Sequence, residues 1–401
     1  MRDFKYFQPT EIRFGTGKIN EVGEAVAKYG KRCLLVTVPV EPVFESLFDK
    51  IKASLKATGV EVAHHDDIIP NPTTECITAG AAAAKNHDAD VVLGAGGGSS
   101  MDSAKAIAVE ATHPGTCWDY LYCSETQPTD KTLPIIAVST TSGTGSQVTQ
   151  VAVVTNTGKR DKSAIYNSIV YPKVAIVDPD LMLTVPEHIT ASTGFDAFAH
   201  AFESLLHPNA SPYTDMIARE AVQLIVRYLP RVVKNSSDRE GRAAMAWADT
   251  LAGLCIANAG VTLPHGIGMA IPGMYPHVMH GEALALNYPA FTRFTCTHAV
   301  NQFAAIGRLL NPILGNKPDK AAAESMCEEV DRFLKEIGMW FGLEDFDIPR
   351  EELRELAEQS LVLPDNGNNP RIATVEDMKE LLEQSYRARR CFLHGRSMTD
   401  K

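Results

Sequence analysis

The sequence predicts an α/β half with a parallel sheet, followed by an all-helical half. Up to about residue 180, short β-branched runs alternate with Ala-rich helical patterns, the order typical of a doubly wound parallel sheet. From about Pro186 the β-rich runs stop and long helical patterns take over. The chain has 401 residues, which is longer than single cores usually grow, so about two domains are expected.

The individual elements follow from these patterns. Predicted strands lie at 33–38, 60–65, 90–96, 133–139 and 174–179, with Ala-rich helical patterns at 77–87 and 103–112. Helices of the second half are predicted at 189–206, 213–228, 239–258, 297–310, 319–337, 349–361 and 374–389. We place the boundary at the Thr184–Pro186 turn, which gives domains 1–185 and 186–401.

Composition narrows the class of partner. A net charge of -11 argues against nucleic acid or an anionic membrane as the main partner. The start of the chain lacks the apolar region of a secretory signal, and no apolar run reaches the ~18–20 residues of a membrane span. The eight cysteines are scattered, as expected of reduced thiols in a cytoplasmic protein. A metal would therefore be bound by histidine and carboxylate.

Two loops predict a nucleotide site. The first, GAGGGSSMDSAKAI (94–107), joins an apolar strand to an Ala-rich helix. Its glycines let a phosphate approach the backbone, and the helix N-terminus offers free N–H donors. The second, STTSGTGSQVT (139–149), carries seven hydroxyls after another strand. Each could be a plain turn, but ligands of open α/β sheets bind at this edge. We predict a nucleotide-type cofactor.

The pair Asp196 and His200 indicates a metal site in the helical half. Their i,i+4 spacing puts both on one face of the predicted helix, for which Ser192 or Thr193 is the expected N-cap. A surface hydrogen bond is the alternative. The helix is largely apolar, however, so the pair is expected to be buried and to need a partner. Aspartate and imidazole together suit Fe²⁺ or Zn²⁺.

Three more histidines lie close together downstream. His265, His277 and His280 fall within 16 residues of a segment rich in glycine and proline, which predicts turns rather than one helix. Imidazoles at this density suggest that the segment completes a metal site. The residues alone do not say which of the three bind.

Taken together, these motifs resemble the iron-containing (group III) alcohol dehydrogenase family along nearly the whole chain. The matching stretches are FQPTEIRFGTGKINEVG (7–23), the Asn71–Thr73 turn, both loops, Lys162, GFDAFAHAFES (194–204), the His-Gly pairs at 265 and 280, and DNGNNPR (365–371). The resemblance implies a dehydroquinate synthase-like superfold, with a dinucleotide-binding domain, a helical domain and an active site between them.

The resemblance also implies ligands and cofactors. The implied metal ligands are Asp196, His200, His265 and His280. Residues implied at the cofactor are Asn71, Gly97, Gly98, Ser99, Asp102, Thr140, Thr141, Thr144 and Lys162. The expected cofactors are NAD or NADP and one divalent metal, Fe²⁺ first and Zn²⁺ as the alternative. Such a set leaves the ion net positive, so it can act as a Lewis acid toward an alcohol or aldehyde oxygen.

The implied reaction is hydride transfer between nicotinamide and a small primary alcohol or aldehyde, in a homodimer or larger homo-oligomer. A hydroxyacid–oxoacid transhydrogenase-like activity is a close alternative. A dehydroquinate synthase-like lyase using NAD and metal, and a non-enzymatic nucleotide-binding protein, belong to other classes. An intact four-ligand set argues against a mere binder.

Departures from the family pattern mark open points. Met269 stands where many members carry a second histidine, so a proton relay would use water, the cofactor ribose or another group such as His277. His277 is therefore a catalytic candidate, with a loop histidine as the alternative. Val38 follows the second strand, where many NAD-preferring members are acidic, which leaves NADP open. Gln147 replaces a more usual glutamate.

Overall fold

The first half of the molecule is built on a six-stranded parallel sheet. The structure is a computed structural model that describes residues 3–387. The strands of its described part are β1 (Glu11–Phe14), β2 (Arg32–Val36), β3 (Glu61–His65), β4 (Val91–Gly96), β5 (Ile135–Ser139), β6 (Val151–Asn156), β7 (Asp161–Tyr166) and β8 (Val174–Val177). The sheet order is β1-β8-β5-β4-β2-β3, and β6 and β7 form a separate antiparallel hairpin.

Both faces of the sheet are buried, as parallel sheets require. Along β2, Leu34 and Val36 join one apolar cluster, while Cys33 and Leu35 join another on the opposite face. This alternation follows from the two-residue period of a strand. The covering helices are α1 (Val22–Ala27), α2 (Pro42–Ala57), α3 (Thr74–Asn86) and α4 (Gly98–Glu110).

Helices make up the described part of the second half. They are α5 (Glu187–Leu206), α6 (Pro212–Lys234), α7 (Arg239–Asn258), α8 (Leu263–Met274), α9 (His280–Thr295), α10 (Val300–Leu310), α11 (Asp319–Glu336), α12 (Leu353–Gln359) and α13 (Val375–Gln384). Their apolar faces share one large core. The arrangement confirms the predicted fold class. Positions 388 and 389 of the last predicted helix lie outside the described residues.

Two local predictions were wrong. The helix with Asp196 begins at Glu187 with Pro186 at the N-cap, so Ser192 and Thr193 lie inside it rather than cap it. The segment predicted to be turn-rich instead forms α8 and α9, with a short turn between them. Its glycines reflect close packing: a Cβ at Gly266 would lie 2.7 Å from the carbonyl oxygen of Ser360.

The prediction also missed β1 and the β6–β7 hairpin. β1 is an edge strand whose four residues are exposed or partly exposed, so it lacks the apolar run that marks the central strands. Among the described residues, no single helix is long and apolar enough to cross a membrane. α7 and α8, bent by 103° at their junction, pass that test as a pair on length and composition alone.

Candidate active site

A cavity of about 550 Å³ is lined by residues of both halves. One wall comes from the loop that starts α4, the loop after β5 and the β6–β7 hairpin. The other comes from α5 and the residues after it, the end of α7 and the segment before α8, α8 itself, the first residue of α9 and the turn before α13. The cavity therefore meets the carboxyl edge of the sheet, where ligands of open α/β sheets bind.

Four side chains implied as metal ligands converge on one wall of this cavity. The Nε2 atoms of His200, His265 and His280 lie 3.4, 3.7 and 3.7 Å from Oδ1 of Asp196. These separations are long for hydrogen bonds. They resemble the roughly 3.4 Å between neighbouring ligands of a tetrahedral ion with bonds of about 2.1 Å. The Asp196 Oδ1 and His265 Nε2 atoms are buried without a hydrogen-bond partner. Asp196, His265 and His280 offer ligand atoms that all lie within 4.8 Å of one another, and His200 lies against the same carboxylate, so the residues present fit a metal ion.

Each histidine is held by its other ring nitrogen. The Nδ1 atom of His200 lies 3.1 Å from the carbonyl oxygen of Gly143, and that of His280 lies 2.7 Å from the carbonyl oxygen of Gly268. The Nδ1 atom of His265 lies 2.9 Å from Oε2 of Glu203. Carbonyl and carboxylate oxygens accept, so each Nδ1 carries a proton and Nε2 is left as the metal-binding nitrogen of the ring. This arrangement is typical of histidines that bind metals.

Glu203 is a site residue that the sequence analysis missed. Its side chain is fully buried on α5 and also accepts hydrogen bonds from the Thr262 amide at 2.9 Å and the Tyr288 hydroxyl at 3.1 Å. A glutamate one turn after His200 in an apolar helix needs such partners, because an unpaired buried charge is unfavourable. That signal was available in the sequence.

The charges of the cluster favour a cation at its centre. Burial would raise the pKa of Asp196, but the three imidazoles outweigh it and lower the pKa to about 2. Burial would lower the pKa of His265, yet Glu203 and Asp196 raise it to about 10. Glu203 and Asp196 thus stabilise a positive charge on the His265 ring. Either a proton or a metal ion on Nε2 can supply that charge. Burial lowers the pKa of His280 to about 3, leaving it neutral.

The two predicted nucleotide loops pack against each other. Gly97 is the N-cap of α4 and Gly98 its first residue. A Cβ on Gly98 would lie 2.5 Å from Cγ2 of Thr144, so the second loop can approach this closely because residue 98 has no side chain. Of the nine residues implied at the cofactor, the following line the cavity: Asn71, Gly98, Ser99, Asp102, Thr144 and Lys162. The other three are not in the lining: a Cβ at Gly97 would lie 3.2 Å from Oγ1 of Thr141, and the Thr140 amide donates to the carbonyl oxygen of Gly96 at 3.0 Å.

A buried lysine and aspartate fix the second loop. Asp102 accepts hydrogen bonds from the Ser146 hydroxyl at 2.6 Å and the Val153 amide at 3.1 Å. Lys105, which the sequence analysis did not single out, donates to the carbonyl oxygens of Ser146 and Val151 at 2.8 and 2.6 Å. Its fully buried amine connects α4, the loop and the hairpin. The hydrogen bonds of Asp102 therefore give it a structural role whether or not it contacts the cofactor.

Lys162 and Asn71 form a second link across the cavity. The Lys162 amine donates to Oδ1 of Asn71 at 2.8 Å, and the Asn71 amide donates to the carbonyl oxygen of Pro276 at 3.1 Å. Asn71 adopts a left-handed backbone conformation with φ of 54°. Burial lowers the pKa of Lys162 to about 8. These contacts connect the hairpin of the first half to the α8–α9 turn.

His277 lies apart from the other histidines. Its ring is exposed in the α8–α9 turn, and its Nε2 lies 2.9 Å from the carbonyl oxygen of Phe346. It belongs neither to the cluster of metal-type donors around Asp196 nor to the described cavity lining. This position favours the alternative of a loop histidine. Met269 does line the cavity, and the Gln147 amide donates to Asp249 at 2.7 Å.

The fold and the site define a nucleotide-binding protein with a buried metal-type donor set. The model of "Iron-containing alcohol dehydrogenase" matches residues 9–179, and that of the "Fe-containing alcohol dehydrogenase family, C-terminal" matches residues 190–386. The chain belongs to the iron-containing alcohol dehydrogenase family. It is an oxidoreductase of the alcohol dehydrogenase class, whose members bind NAD(H) and an iron ion.

Individual relatives match over nearly the full length. The NAD-dependent methanol dehydrogenase of Bacillus methanolicus is 32% identical, covering 95% of this chain and 99% of that protein. The 1,3-propanediol dehydrogenase of Klebsiella pneumoniae is 33% identical, covering 96% and 99%. The crystal structure of an archaeal Red Sea brine pool alcohol dehydrogenase matches with a TM-score of 0.91 at 34% identity, covering 96% and 100%.

Proposed function

We propose that the protein interconverts small primary alcohols and aldehydes with NAD(H) and one divalent metal ion. Asp196, His200, His265 and His280 are the proposed ligands. Fe²⁺ is the proposed metal because the family is iron-containing, and Zn²⁺ suits the same donors. The observation that carries the proposal is the convergence of three Nε2 atoms on Asp196 Oδ1 in the wall of the cavity that the nucleotide loops line.

The residues of the chain would position the bound groups and set the electrostatic field around them. When bound, the metal ion supplies Lewis acidity toward the substrate oxygen and the nicotinamide supplies the hydride chemistry. Glu203 and the carbonyl oxygens of Gly143 and Gly268 hold the three imidazoles in the tautomer with a free Nε2. The side chain of Met269 faces the same cavity and cannot carry a proton. Proton exchange would therefore use water or another group of the lining.

NAD is the proposed dinucleotide rather than NADP. The end of β2 leads into residues 37–49, which contain no lysine or arginine to bind a 2′-phosphate. They do contain the exposed Glu41 at the N-cap of α2. The relative from Bacillus methanolicus is likewise named NAD-dependent. An anionic 2′-phosphate near this acidic turn would be repelled.

Other features of the protein are proposed on similar grounds. The domain boundary is proposed near residue 185, since β8 ends at Val177 and α5 begins at Glu187. A cytoplasmic location is proposed because the seven cysteines of the described residues are free thiols. Assembly as a homodimer or larger homo-oligomer stays a prediction. No contact among residues 3–387 specifically favours the transhydrogenase-like or the lyase alternative, and the relatives named above are dehydrogenases.

The direct test is a reconstituted assay. The purified protein is loaded with Fe²⁺ or Zn²⁺ and supplied with NADH or NADPH and a panel of small aldehydes, acidic ones included. We expect turnover that depends on metal and is faster with NADH. Absence of turnover with every aldehyde in both metal forms would contradict the proposal. Hydride exchange between substrates without added dinucleotide would instead favour the transhydrogenase alternative.

A further inference from the structure

The second nucleotide loop contacts both halves of the molecule through alternate residues. Thr144 and Ser146 line the cavity. Gly143, Gly145 and Gln147 instead contact α5 and α7 of the helical half. The loop therefore lies between the space for the dinucleotide and two of the helices around the metal-type donors.

Asp249 on α7 holds this loop from the helical half. Its carboxyl group is buried and accepts hydrogen bonds from the Gly145 amide at 2.8 Å and from the Gln147 side-chain amide at 2.7 Å. The backbone of Gly143 also interacts with the carboxyl group. One buried side chain of α7 thus binds three alternate residues of the loop, and its loss would leave buried donors without a partner, which is unfavourable.

Close packing leaves the loop little freedom on this side. Gly145 has a left-handed backbone with φ of 61°, and a Cβ there would collide with Cα of Gly253, one turn after Asp249. A Cβ at Gly143 would collide with the carbonyl oxygen of Thr193 on α5. Because both positions are glycine, the loop backbone lies directly on α5 and α7. Interiors packed this closely transmit small displacements.

The same loop orients one of the metal-type donors. The carbonyl oxygen of Gly143 lies 3.1 Å from Nδ1 of His200 and accepts its proton. Gly268, whose carbonyl oxygen does the same for His280, lies in α8 of the helical half, whereas Gly143 belongs to the nucleotide half. Partners of this kind orient a metal-binding imidazole and typically contribute 10–100-fold to metal affinity. The orientation of the His200 ring therefore depends on the position of the loop.

Resting on the proposed function, we propose that Asp249 is a positioning residue that couples the dinucleotide site to the metal ligand His200 through the second loop. A dinucleotide that contacts Thr144 fixes the loop from the cavity side, and Asp249 fixes it from α7. Both contacts hold the Gly143 carbonyl in place for His200. Bound dinucleotide should therefore raise the affinity for the metal ion. By thermodynamic linkage, bound metal ion should raise the affinity for the dinucleotide by the same factor.

The test measures the binding of each ligand with and without the other. Metal-free wild type, Asp249→Leu and Asp249→Asn are titrated with Zn²⁺ in competition with a chromophoric chelator, first alone and then with saturating NADH. In wild type, NADH should raise the affinity for Zn²⁺ about fivefold or more. Asp249→Leu should bind Zn²⁺ about tenfold more weakly and lose most of its response to NADH. Asp249→Asn keeps one acceptor oxygen, so both losses should be smaller.

Thr250→Val is the matched control. Thr250 is the next residue of α7 and is also buried, but its hydroxyl donates to the carbonyl oxygen of Ala246 in the same helix, at 2.9 Å. The control should keep both the wild-type affinity for Zn²⁺ and the wild-type response to NADH. Fluorescence titration of NADH with and without Zn²⁺ gives the reciprocal factor, which must equal the first.

The outcomes separate this inference from the proposed function. Wild-type Zn²⁺ affinity and NADH response in Asp249→Leu would overturn the inference, as would a wild type whose affinity for Zn²⁺ is the same with and without NADH. If circular dichroism shows that Asp249→Leu does not fold, Asp249→Asn decides in the same way, by a reduced or an unchanged response to NADH. Failure of wild type to bind NADH or Zn²⁺ at all would instead contradict the proposed function.

Discussion

The two walls of the cavity are built in different ways. The nucleotide wall comes mainly from two short loops at strand ends, whose glycines and hydroxyls are neighbours in sequence. The metal wall takes its donors from α5, α8 and α9, far apart in the chain, and orients them with Glu203 and two backbone carbonyls. One of those carbonyls, that of Gly143, belongs to the nucleotide loop. The metal wall therefore depends on how the two halves pack, whereas each nucleotide loop is largely a local structure.

Loss of the carboxylate donor should have the largest effect on the metal wall. Asp196→Asn removes the charge that the three imidazoles surround, so the ion should be lost. We expect kcat/KM to fall by about 10³-fold, since Lewis acidity contributes several kcal/mol and each 1.36 kcal/mol is a factor of ten. Circular dichroism checks that the helices remain. Activity within tenfold of wild type would contradict the assigned role.

Removal of the Glu203 carboxylate, which contacts His265, should weaken metal binding less than the loss of Asp196 does. Glu203→Gln leaves all four donors but loses the charge that holds the His265 Nδ1 proton. Residues that orient a metal ligand typically contribute 10–100-fold to metal affinity, and we expect a loss of about that size in a chelator competition assay. Tyr288→Phe, which removes one hydrogen bond to Glu203, is the matched control with a smaller loss. Equal losses of metal affinity in the two variants would contradict the role given to the negative charge of Glu203.

A change in the nucleotide wall should leave the metal in place. Lys162→Met removes a buried donor and a positive charge, so NAD(H) should bind about tenfold more weakly at unchanged metal content. Because the pKa of Lys162 is lowered to about 8, its charge is lost as pH rises through 8. Wild-type affinity for the anionic dinucleotide should then decline above pH 8, and the variant should not follow. Fluorescence titration of NADH measures both. Metal loss in this variant would break the separation of the two walls.

The smallest expected effect concerns the contact between the walls. Asp249 on α7 accepts from the Gly145 amide at 2.8 Å and from Gln147, and burial raises its pKa from 3.8 to about 7. The folded protein thus prefers the protonated form. As pH rises from about 4 to 7, the unfolded chain ionises first, so stability is lost over that range and stays lost above it.

Asp249→Asn has no such titration. Its free energy of unfolding, relative to wild type, should be higher at pH 8 than at pH 5 by about 1 kcal/mol or more. Urea denaturation at the two pH values measures the difference. If the difference in unfolding free energy between Asp249→Asn and wild type is the same at pH 5 and pH 8, a raised pKa for Asp249 is contradicted.

Features that depend on local sequence were predicted well, and features that depend on packing between distant elements were predicted only in part. The central strands and both loops were predicted because apolar runs and glycines mark them directly. The α8–α9 segment was not, because its glycines and prolines read as turns, while Gly266 is there to let α8 pack closely on the turn of Ser360. Lys105 and Glu203 were missed although each is a charged residue in an apolar helix, because the spacing along the chain does not identify the partners that they have on other elements.

The ranking of the three neighbouring histidines is the central claim, and metal content tests it most directly. His280→Ala and His277→Ala are purified alongside wild type, loaded with Fe²⁺ or Zn²⁺, desalted and measured by inductively coupled plasma mass spectrometry. The account predicts about one ion per chain in wild type and in His277→Ala, and loss of the ion in His280→Ala, because a tetrahedral site needs its fourth ligand. Retention of metal in His280→Ala with loss in His277→Ala would contradict the assignment.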